Sequence, residues 1–222
     1  LRGSFKSGKS ASTPRKVLVV FQYVISVVLV VATIVIYQQI GYAKDRPIGY
    51  DQNNIVSFEL KEDKIDKHFD VIRQELIQSG MVTEVASTDH EIGDIYNTNG
   101  GLEWRGKDPN MTDKFYTMRI SPEFGNLIDW KITRGRDFSK EMKTDSTGFI
   151  INEAAVSYMG FDDPIGEKIG WADKEWRVLG VVENMMNQSP YQQAKPTFFV
   201  QQAKRPWLIN AKINPDVSAS KA

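Results

Sequence analysis

The chain has 222 residues, of which 41% are hydrophobic and 25% charged, so its size allows one membrane anchor and one domain of ordinary size. Basic and acidic residues balance at 28 each, but five basic residues and no acid precede Val17; the rest carries 23 basic against 28 acidic side chains, which argues against nucleic-acid binding. The absence of cysteine excludes disulfides, thiol catalysis and cysteine-ligated zinc.

Residues 17–37 form an apolar run without charge, glycine or proline. As a strand this run would extend for roughly 70 Å, several times the usual length, whereas a helix of the same residues spans roughly 32 Å and matches a hydrocarbon core of about 30 Å. A cleaved signal peptide would have a shorter apolar region that ends in small residues. The run therefore predicts a transmembrane helix that begins at Val17 and ends at Tyr37.

The charges beside this helix predict its orientation. The five basic residues upstream are Arg2, Lys6, Lys9, Arg15 and Lys16. Basic residues favour the cytoplasmic side, so we expect residues 1–16 to form a cytoplasmic arm. Residues 38–52 are expected to connect the helix to a domain that lies wholly on the other side of the membrane, because no second apolar run is long enough to span it.

Three polar residues interrupt the apolar run. Gln22, Ser26 and Thr33 are spaced by four and seven residues, which places them near one face of a helix. Such a face can contact neighbouring membrane helices, although single-pass anchors also tolerate polar residues of this kind.

Downstream of the connector, alternating apolar residues predict short strands and few helices. The predicted strands cover residues 54–60, 82–87, 102–105, 115–120, 149–152, 175–182 and 197–200. Ile65, Phe69, Ile72 and Leu76 fall at helical spacing before Gly80, and a shorter helix is predicted over residues 153–159. The order shows no regular alternation of strand and helix, so the fold class is α+β, with a mixed α/β domain over residues 53–213 and a frayed tail over 214–222.

The arm contains a pattern that matches a nucleotide-binding loop letter for letter. Residues 3–10 read Gly-Ser-Phe-Lys-Ser-Gly-Lys-Ser, which is G-x-x-x-x-G-K-S. A functional loop follows a strand and opens a helix, so that backbone N–H groups surround the phosphates. Only two residues precede Gly3, and the segment leads directly into the membrane helix. We therefore interpret the pattern as part of a basic arm and expect no cofactor.

No other motif in the sequence supports catalysis or metal binding. Asp89, His90, Glu91 and Asp94 gather four potential ligands, but their spacing is not that of a zinc protease and no distant ligand set accompanies them. A calcium-loop beginning at Asp108 lacks the required glycine and the closing glutamate. We therefore expect no catalytic, cofactor-binding or metal-ligating residue.

Several short motifs, in this order, resemble the second half of FtsX-like, MacB-like ABC transporter permeases. They are Arg15-Lys-Val-Leu-Val-Val-Phe-Gln22, Gln39-Ile-Gly-Tyr42, Ile48-Gly-Tyr-Asp51, Gly135-Arg-Asp-Phe138, Ile150-Ile-Asn-Glu-Ala-Ala155, Asp163-Pro-Ile-Gly166 and Val178-Leu-Gly-Val-Val182, with Pro196 before the last predicted strand. The resemblance implies an extracytoplasmic core domain with a larger mixed lobe and a smaller β-rich lobe, the latter at about residues 140–183.

The family-like signature residues also have structural interpretations. They are Gly135, Arg136, Asp137, Asn152, Glu153, Pro164, Gly166 and Gly180. Glycines at such positions suit turns or close backbone approach, and the Pro164-to-Gly166 segment suits a tight corner. None of them forms a ligand set, in agreement with a family whose ATP chemistry lies in a separate subunit.

The resemblance implies a permease subunit in the bacterial inner membrane, with its main domain in the periplasm. Expected partners are the bilayer, a cytoplasmic ABC ATPase, other transmembrane helices of a permease that is dimeric, and an extracytoplasmic protein; the cargo is open. Because the chain begins at Leu1, we expect it to be a segment of a longer protein. Two alternatives remain: a single-pass receptor with an outer sensor domain, and a membrane-anchored enzyme.

Overall fold

The computed structural model describes residues 12–44, 48–60, 68–187, 189, 191–201 and 208–217. The chain divides into two compact units, Leu1–Arg46 and Pro47–Ala222. Of the expected cytoplasmic arm and tail, residues 1–11 and 218–222 therefore lie outside the described part of the chain.

The first unit contains one long helix, α1 (Ser12–Lys44). Its segment Pro14–Ala43 is long and apolar enough to cross a membrane, the only such helix among the described residues. The helix extends beyond Val17 and Tyr37 at both ends, since it begins at Ser12 and residues 38–44 are also helical. Those residues were expected to belong to the connector, but Gln38, Gln39 and Ile40 can continue a helix and no proline interrupts it. The membrane boundaries within α1 stay a prediction.

Two of the three polar side chains of the apolar run bond to their own helix. The Ser26 hydroxyl donates to the carbonyl O of Gln22 at 2.9 Å, and the Thr33 hydroxyl donates to that of Leu29 at 2.8 Å. Both hydroxyls are therefore satisfied without another helix, since each bonds to the carbonyl four residues earlier. The predicted contact face stays a prediction.

The second unit is built on one mixed sheet of eleven strands. In chain order its elements are β1 (Ile55–Glu59), α2 (Phe69–Gln78), β2 (Val82–Thr88), β3 (Thr98–Asn99), β4 (Glu103–Trp104), β5 (Phe115–Ile120), α3 (Phe124–Ile128), β6 (Ile132–Gly135), a 3-10 helix (Lys143–Thr147), β7 (Gly148–Asn152), α4 (Glu153–Met159), β8 (Lys168–Trp171), β9 (Lys174–Val182), β10 (Thr197–Gln201) and β11 (Leu208–Ile213). The predicted α+β class is confirmed.

The strand order brings the two ends of the described domain together. The order is β1-β11-β2-β5-β10-β7-β9-β8-β4, while β3 pairs with β5 and β6 with β9. β10 runs parallel to β5 and β7 parallel to β9; the other pairings are antiparallel. As a result, the last described strand, β11, lies beside the first, β1.

Three apolar clusters cover the sheet. The first surrounds α3 and includes Phe124 and Leu127; the second surrounds Phe149, whose ring stacks on Trp176 with centroids 4.8 Å apart. The third is small and packs α2 against Val85. Side chains of successive strand residues point to opposite faces, so Val85 and Ala86, which belong to different clusters, place those clusters on opposite faces of β2.

The smaller lobe that the resemblance implies is continuous with the rest of the sheet. Residues 140–183 contain the 3-10 helix, β7, α4, β8 and β9. β7 pairs with both β9 and β10, so the hydrogen-bonded ladder runs through these residues into the remainder of the domain. The lobe boundary therefore stays a prediction.

Replacement of Gly180 by alanine should destabilise the domain by about 1–3 kcal/mol, the usual cost of overpacking. Gly180 lies in β9, and a Cβ atom there would overlap the backbone carbonyl of Arg136. Gly170, in β8, is a matched control because its added Cβ would meet the Cβ of Glu103 at 3.4 Å, an ordinary contact. Urea unfolding of the detergent-solubilised chain, followed by tryptophan fluorescence, measures both. Equal loss of stability in Gly180→Ala and Gly170→Ala would contradict this account.

Candidate functional site

The first described residues of the second unit are fixed by main-chain hydrogen bonds. The N–H of Met186 donates to the carbonyl O of Ile48 at 2.9 Å, and the N–H of Asp51 donates to that of Ile128 at 2.7 Å. Residues 48–51 are thus bonded to the loop after β9 and to the last residue of α3. We call the segment 48–51, with its contacts on neighbouring loops, the entry junction.

Two glycines allow the close approach of chains at the entry junction. Gly49 has a φ of +80°, and a Cβ atom there would overlap the carbonyl O of Asn184. Gly93 has a φ of +83°, and a Cβ there would come within 2.5 Å of the Tyr50 hydroxyl. L-residues rarely adopt this left-handed conformation. Burial raises the pKa of Tyr50, in keeping with a phenol enclosed between these loops.

Two asparagines hold the loop after β9 in place. Asn187 accepts a hydrogen bond from the Ile95 N–H at 2.7 Å and donates one to the Ile95 carbonyl at 2.8 Å. Asn184 accepts from the N–H of Ala154, the second residue of α4, at 2.9 Å. These amides connect the entry junction to the loop before β3 and to α4.

A side-chain ion pair joins the entry junction to β11. The Lys212 ammonium lies 2.9 Å from the Asp51 carboxylate, and the side chains are 22% and 34% exposed. The N–H of Ile213 also donates to the carbonyl O of Asn54 at 2.8 Å. The hydrogen bond from Lys212 is the main cause that lowers the pKa of Asp51 below its ordinary value. The segment that enters the domain is thus linked to the last described strand.

The signature residues Arg136 and Asp137 form a second cluster, the brace, after β6. The Arg136 guanidinium donates to both oxygens of Asp145, at 2.6 and 2.7 Å, and the Asp145 side chain is fully buried. The Ser139 N–H donates to the same carboxylate at 2.9 Å. The bidentate hydrogen bonds lower the pKa of Asp145 and raise that of Arg136.

Asp137 takes no part in the Arg136–Asp145 pair and bonds to other groups. Its carboxylate accepts from the indole N–H of Trp130 and from the Phe138 N–H, both at 2.7 Å. Burial nevertheless raises its pKa, because these donors only partly offset desolvation. Gly125 of α3 lies against this pair, and a Cβ atom there would overlap the Asp137 carboxylate and the Trp130 ring. The brace therefore links the segment after β6 to α3.

The remaining signature residues have local roles. Asn152 caps α4 by accepting from the Ala155 N–H, also accepts from the Thr197 N–H, and donates to the Lys195 carbonyl. Glu153 lies in the first turn of that helix. At the corner before β8, the Gly166 N–H donates to the Val178 carbonyl at 2.9 Å, and the Glu167 N–H donates to that of Pro164 at 3.2 Å.

The eight signature residues thus fall into three places. The brace contains Arg136 and Asp137, and the two glycines beside them are Gly135 and Gly180. The start of α4 contains Asn152 and Glu153, and the corner before β8 contains Pro164 and Gly166. The corner and the brace are neighbours, since a Cβ on Gly135 would lie 2.7 Å from the Ile165 side chain. Assignment of these residues to the family's signature stays a prediction.

The sequence-level metal candidates do not converge in the structure. The Asp89 carboxylate lies 2.8 Å from His90 Nδ1 and accepts from the Arg119 N–H at 2.8 Å. Among the described residues, no three or more His, Asp or Glu side chains are placed to hold a metal ion. The nucleotide-loop pattern of residues 3–10 lies outside the described residues.

Sequence reasoning missed several residues of the two clusters. Asn184, Asn187 and Lys212 hold the entry junction, and Trp130 and Asp145 complete the brace. The sequence did contain one signal for the entry junction, the motif Ile48-Gly-Tyr-Asp51, which carried part of the resemblance. In the structure, Gly49 of this motif has the left-handed conformation that favours glycine. Asn and Asp in loops carry no periodicity, so their distant partners could not be inferred.

The fold and the two clusters define a mixed α/β domain that follows one long apolar helix. A sequence profile of the MacB-like periplasmic core domain matches residues 17–222. The chain therefore belongs to the family of MacB-like periplasmic core domains, which are components of ABC transporter permeases. A comparison with curated proteins gives no match.

Solved structures are similar to the chain in fold. The periplasmic region of MacB from Actinobacillus actinomycetemcomitans aligns with a TM-score of 0.52 and 15% identity, over 81% of this chain and 83% of that one. The extracellular domain of the noncanonic ABC-type transporter YknZ from Gram-positive bacteria aligns with a TM-score of 0.50 and 12% identity, over 76% and 86%. At these identities the likeness shows the fold, and the predicted helix-plus-domain architecture is confirmed.

Arg136→Ala should destabilise the chain by about 3 kcal/mol, near the lower end of the range for breaking a buried pair, because Arg136 is partly exposed while Asp145 would lose its counter-charge in a buried site. Arg134→Ala is the matched control. Arg134 lies in the same region and donates to the Asp162 carbonyl from an exposed position, so its loss should cost about 0.5 kcal/mol. Urea unfolding of the two variants distinguishes them. A cost for Arg136→Ala no larger than the control would contradict the structural role of the brace.

Asp51→Asn should remove a pH-dependent part of stability. A carboxyl group whose pKa is lowered in the fold stabilises it fully above its unfolded pKa, here about 3.8, and loses that contribution as the pH falls through the folded value. The difference in unfolding free energy between wild type and Asp51→Asn should therefore be up to about 1 kcal/mol at neutral pH and shrink below about pH 4. In a Lys212→Met background the substitution should have little effect. A pH-independent difference would exclude the ion pair as its cause.

Proposed function

We propose that this chain is part of the permease subunit of an ABC transporter, in which α1 crosses the bacterial inner membrane and the second unit lies in the periplasm. In this proposal a separate cytoplasmic ATPase, in a dimeric assembly, moves the membrane helices. The outer domain follows that movement to export or extrude a cargo. The observation that carries the proposal is the family match, which begins within α1 and continues through the whole domain.

The length and the surface of α1 suit a helix that crosses the membrane and transmits movement to the outer domain. α1 is a continuous helix of 33 residues, about 50 Å at 1.5 Å per residue, so it is longer than a hydrocarbon core of about 30 Å. An unbroken helix can transmit a displacement along its axis, whereas a flexible linker would absorb it. The exposed apolar side chains of α1 suit lipid and neighbouring membrane helices.

The entry junction would receive this displacement. The main chain of Ile48 and Asp51 is bonded to two different loops, and the Asp51 side chain is bonded to Lys212. A pull on this segment would therefore act on the end of α3, on the loop after β9 and on β11 together. No nucleophile–base pair is required for such a role, so the chain would transmit mechanical work and leave the chemistry of ATP to its partner.

The proposal predicts that a break in the helix uncouples hydrolysis from transport. Ile40→Pro, in the last turns of α1, removes a helix hydrogen bond and should bend or break the helix at a cost of about 3 kcal/mol. In the full-length permease with its ATPase in proteoliposomes, transport should fall at least tenfold while ATP hydrolysis stays within about twofold of wild type.

Ile40→Ala is the control, because it removes more of the isoleucine side chain than proline does and yet keeps the helix; its transport should stay near that of wild type. Circular dichroism checks that both variants remain folded. Unchanged transport in a folded Ile40→Pro variant would contradict mechanical coupling through α1. A substrate turned over by the chain without an ATPase would favour an anchored enzyme instead.

A further inference from the structure

The sheet of the second unit is joined at its middle by a single residue pair. β1 and β11 pair over five residues, and β5 and β10 also pair over five, but β2 pairs with β5 only at Thr88 and Ile120. This seam divides the sheet into a short sub-sheet (β1, β11 and β2) and a long sub-sheet (β5, β10, β7, β9, β8 and β4, with β3 and β6).

Side chains replace the missing ladder at the seam. The Ser121 hydroxyl accepts from the Ser87 N–H at 3.0 Å, and the Asp89 carboxylate accepts from the Arg119 N–H at 2.8 Å. Two backbone bonds flank the pair, from Asp89 to Arg119 and from Ser121 to Ser87. A short seam with side-chain acceptors resists rotation less than a full ladder, because fewer main-chain bonds must change.

In the described part of the chain, apolar packing joins the two sub-sheets on one face of the sheet only. Ala86 of β2 packs with Ile120, Phe124 and Leu127 in the first cluster, which gives the two sub-sheets a shared core on one face. On the opposite face, α2 packs against residues of the short sub-sheet in the third cluster. None of the buried residues of that cluster belongs to the long sub-sheet.

Ion pairs connect α2 to the other side of the seam. The Lys140 ammonium lies 2.8 Å from Asp70 of α2 and 2.5 Å from Glu123, which immediately precedes α3. Arg73 of α2 pairs with Glu84 of β2 at 2.6 Å and lies 3.9 Å from Glu123. The Glu123 side chain is only 7% exposed, whereas that of Asp70 is 81% exposed. The contact of Lys140 with Glu123 is a close charge pair in the less exposed site, whereas its contact with Asp70 is the one with hydrogen-bond geometry.

We infer that the seam between β2 and β5 is a hinge, and that Lys140 is the latch that keeps the short and long sub-sheets closed against each other. The shared core on the α3 face acts as the pivot, and the ion pairs beside α2 are the contacts that separate on opening. Pairing with Asp70 and Glu123 outweighs the desolvation of Lys140 and raises its pKa, so the latch is charged at neutral pH.

The position of the entry junction relates this hinge to the proposed function. Asp51 bonds to Lys212 of the short sub-sheet through its side chain and to Ile128 of α3 through its N–H. A displacement of the entry segment would thus bear on the short sub-sheet and on α3, which packs in the core that the two sub-sheets share. The hinge itself is a property of the domain; its use during transport rests on the proposed function.

Distances between spin labels test the hinge in the complete chain, reconstituted in nanodiscs. The chain has no cysteine, so introduced thiols are the only labelling sites. Labels at Gln74 of α2 and Asp173 of the β8–β9 turn, both exposed, report across the seam. Labels at Ser146 and Asp173 report within the long sub-sheet. Lys140→Met removes the charge and keeps the aliphatic stem.

The hinge predicts that Lys140→Met raises the population at longer distance about fivefold or more across the seam and leaves the Ser146–Asp173 distribution unchanged. Raising salt from about 0.1 to 1 M should shift the wild type the same way, because salt screens exposed ion pairs. Lys131→Met is the matched control: it removes an exposed pair with Glu183, 3.7 Å apart within the long sub-sheet, and should change neither distribution.

Three results would overturn the inference. They are an unchanged distribution across the seam in both Lys140→Met and high salt, equal broadening of both label pairs, and an effect of Lys131→Met as large as that of Lys140→Met. These measurements need no ATPase and no cargo. The hinge can therefore fail while the transport proposal stands, and transport can fail in a chain whose hinge opens as expected.

Discussion

Before β1 begins, main-chain hydrogen bonds already hold Ile48 to the loop after β9 and Asp51 to the end of α3. These bonds fix the main chain just before β1, and the Asp51–Lys212 pair lies beside the antiparallel ladder of β1 and β11. Because backbone groups form these bonds, most substitutions leave them intact. Gly49 is the exception, since its left-handed conformation and the approach of Asn184 leave no room for a side chain. Main-chain bonds and the close approach at Gly49 therefore hold residues 48–51, where the chain enters the domain, in a fixed conformation.

The two sub-sheets are stabilised in different ways. In the long sub-sheet, Phe149, Trp176 and Phe198 pack together, and the buried Arg136–Asp145 pair secures the strand connections around β9. The short sub-sheet has a small core and depends on ion pairs at one side. Buried aromatic packing resists deformation, whereas partly exposed ion pairs separate at modest cost. A rigid sub-sheet joined to a smaller one that is held by charges suits the movement that we propose for this domain.

The sequence predicted the elements whose apolar residues alternate or recur at helical spacing, such as β5, β9 and α4. It missed β6, β8 and β11, because Ile132, Ile169 and Ile209 stand in short runs broken by charged or small residues, and pairing with neighbouring strands overrides their weak local pattern. α3 was missed because it has five residues. The resemblance pointed to Gly49, Arg136 and Asp137, but their partners Asn184, Asp145 and Trp130 became apparent only when the fold brought distant loops together.

Asn187 also takes the place of a strand beside the loop that precedes β3. Its side-chain amide occupies both the N–H and the C=O of Ile95, as the backbone of an adjoining strand would. A buried main-chain N–H or C=O group without a partner costs free energy, and Ile95 is only 3% exposed. One amide therefore lets this loop lie in the core without the residues that an extra strand would need. The burial of the loop before β3 depends in part on a single side chain.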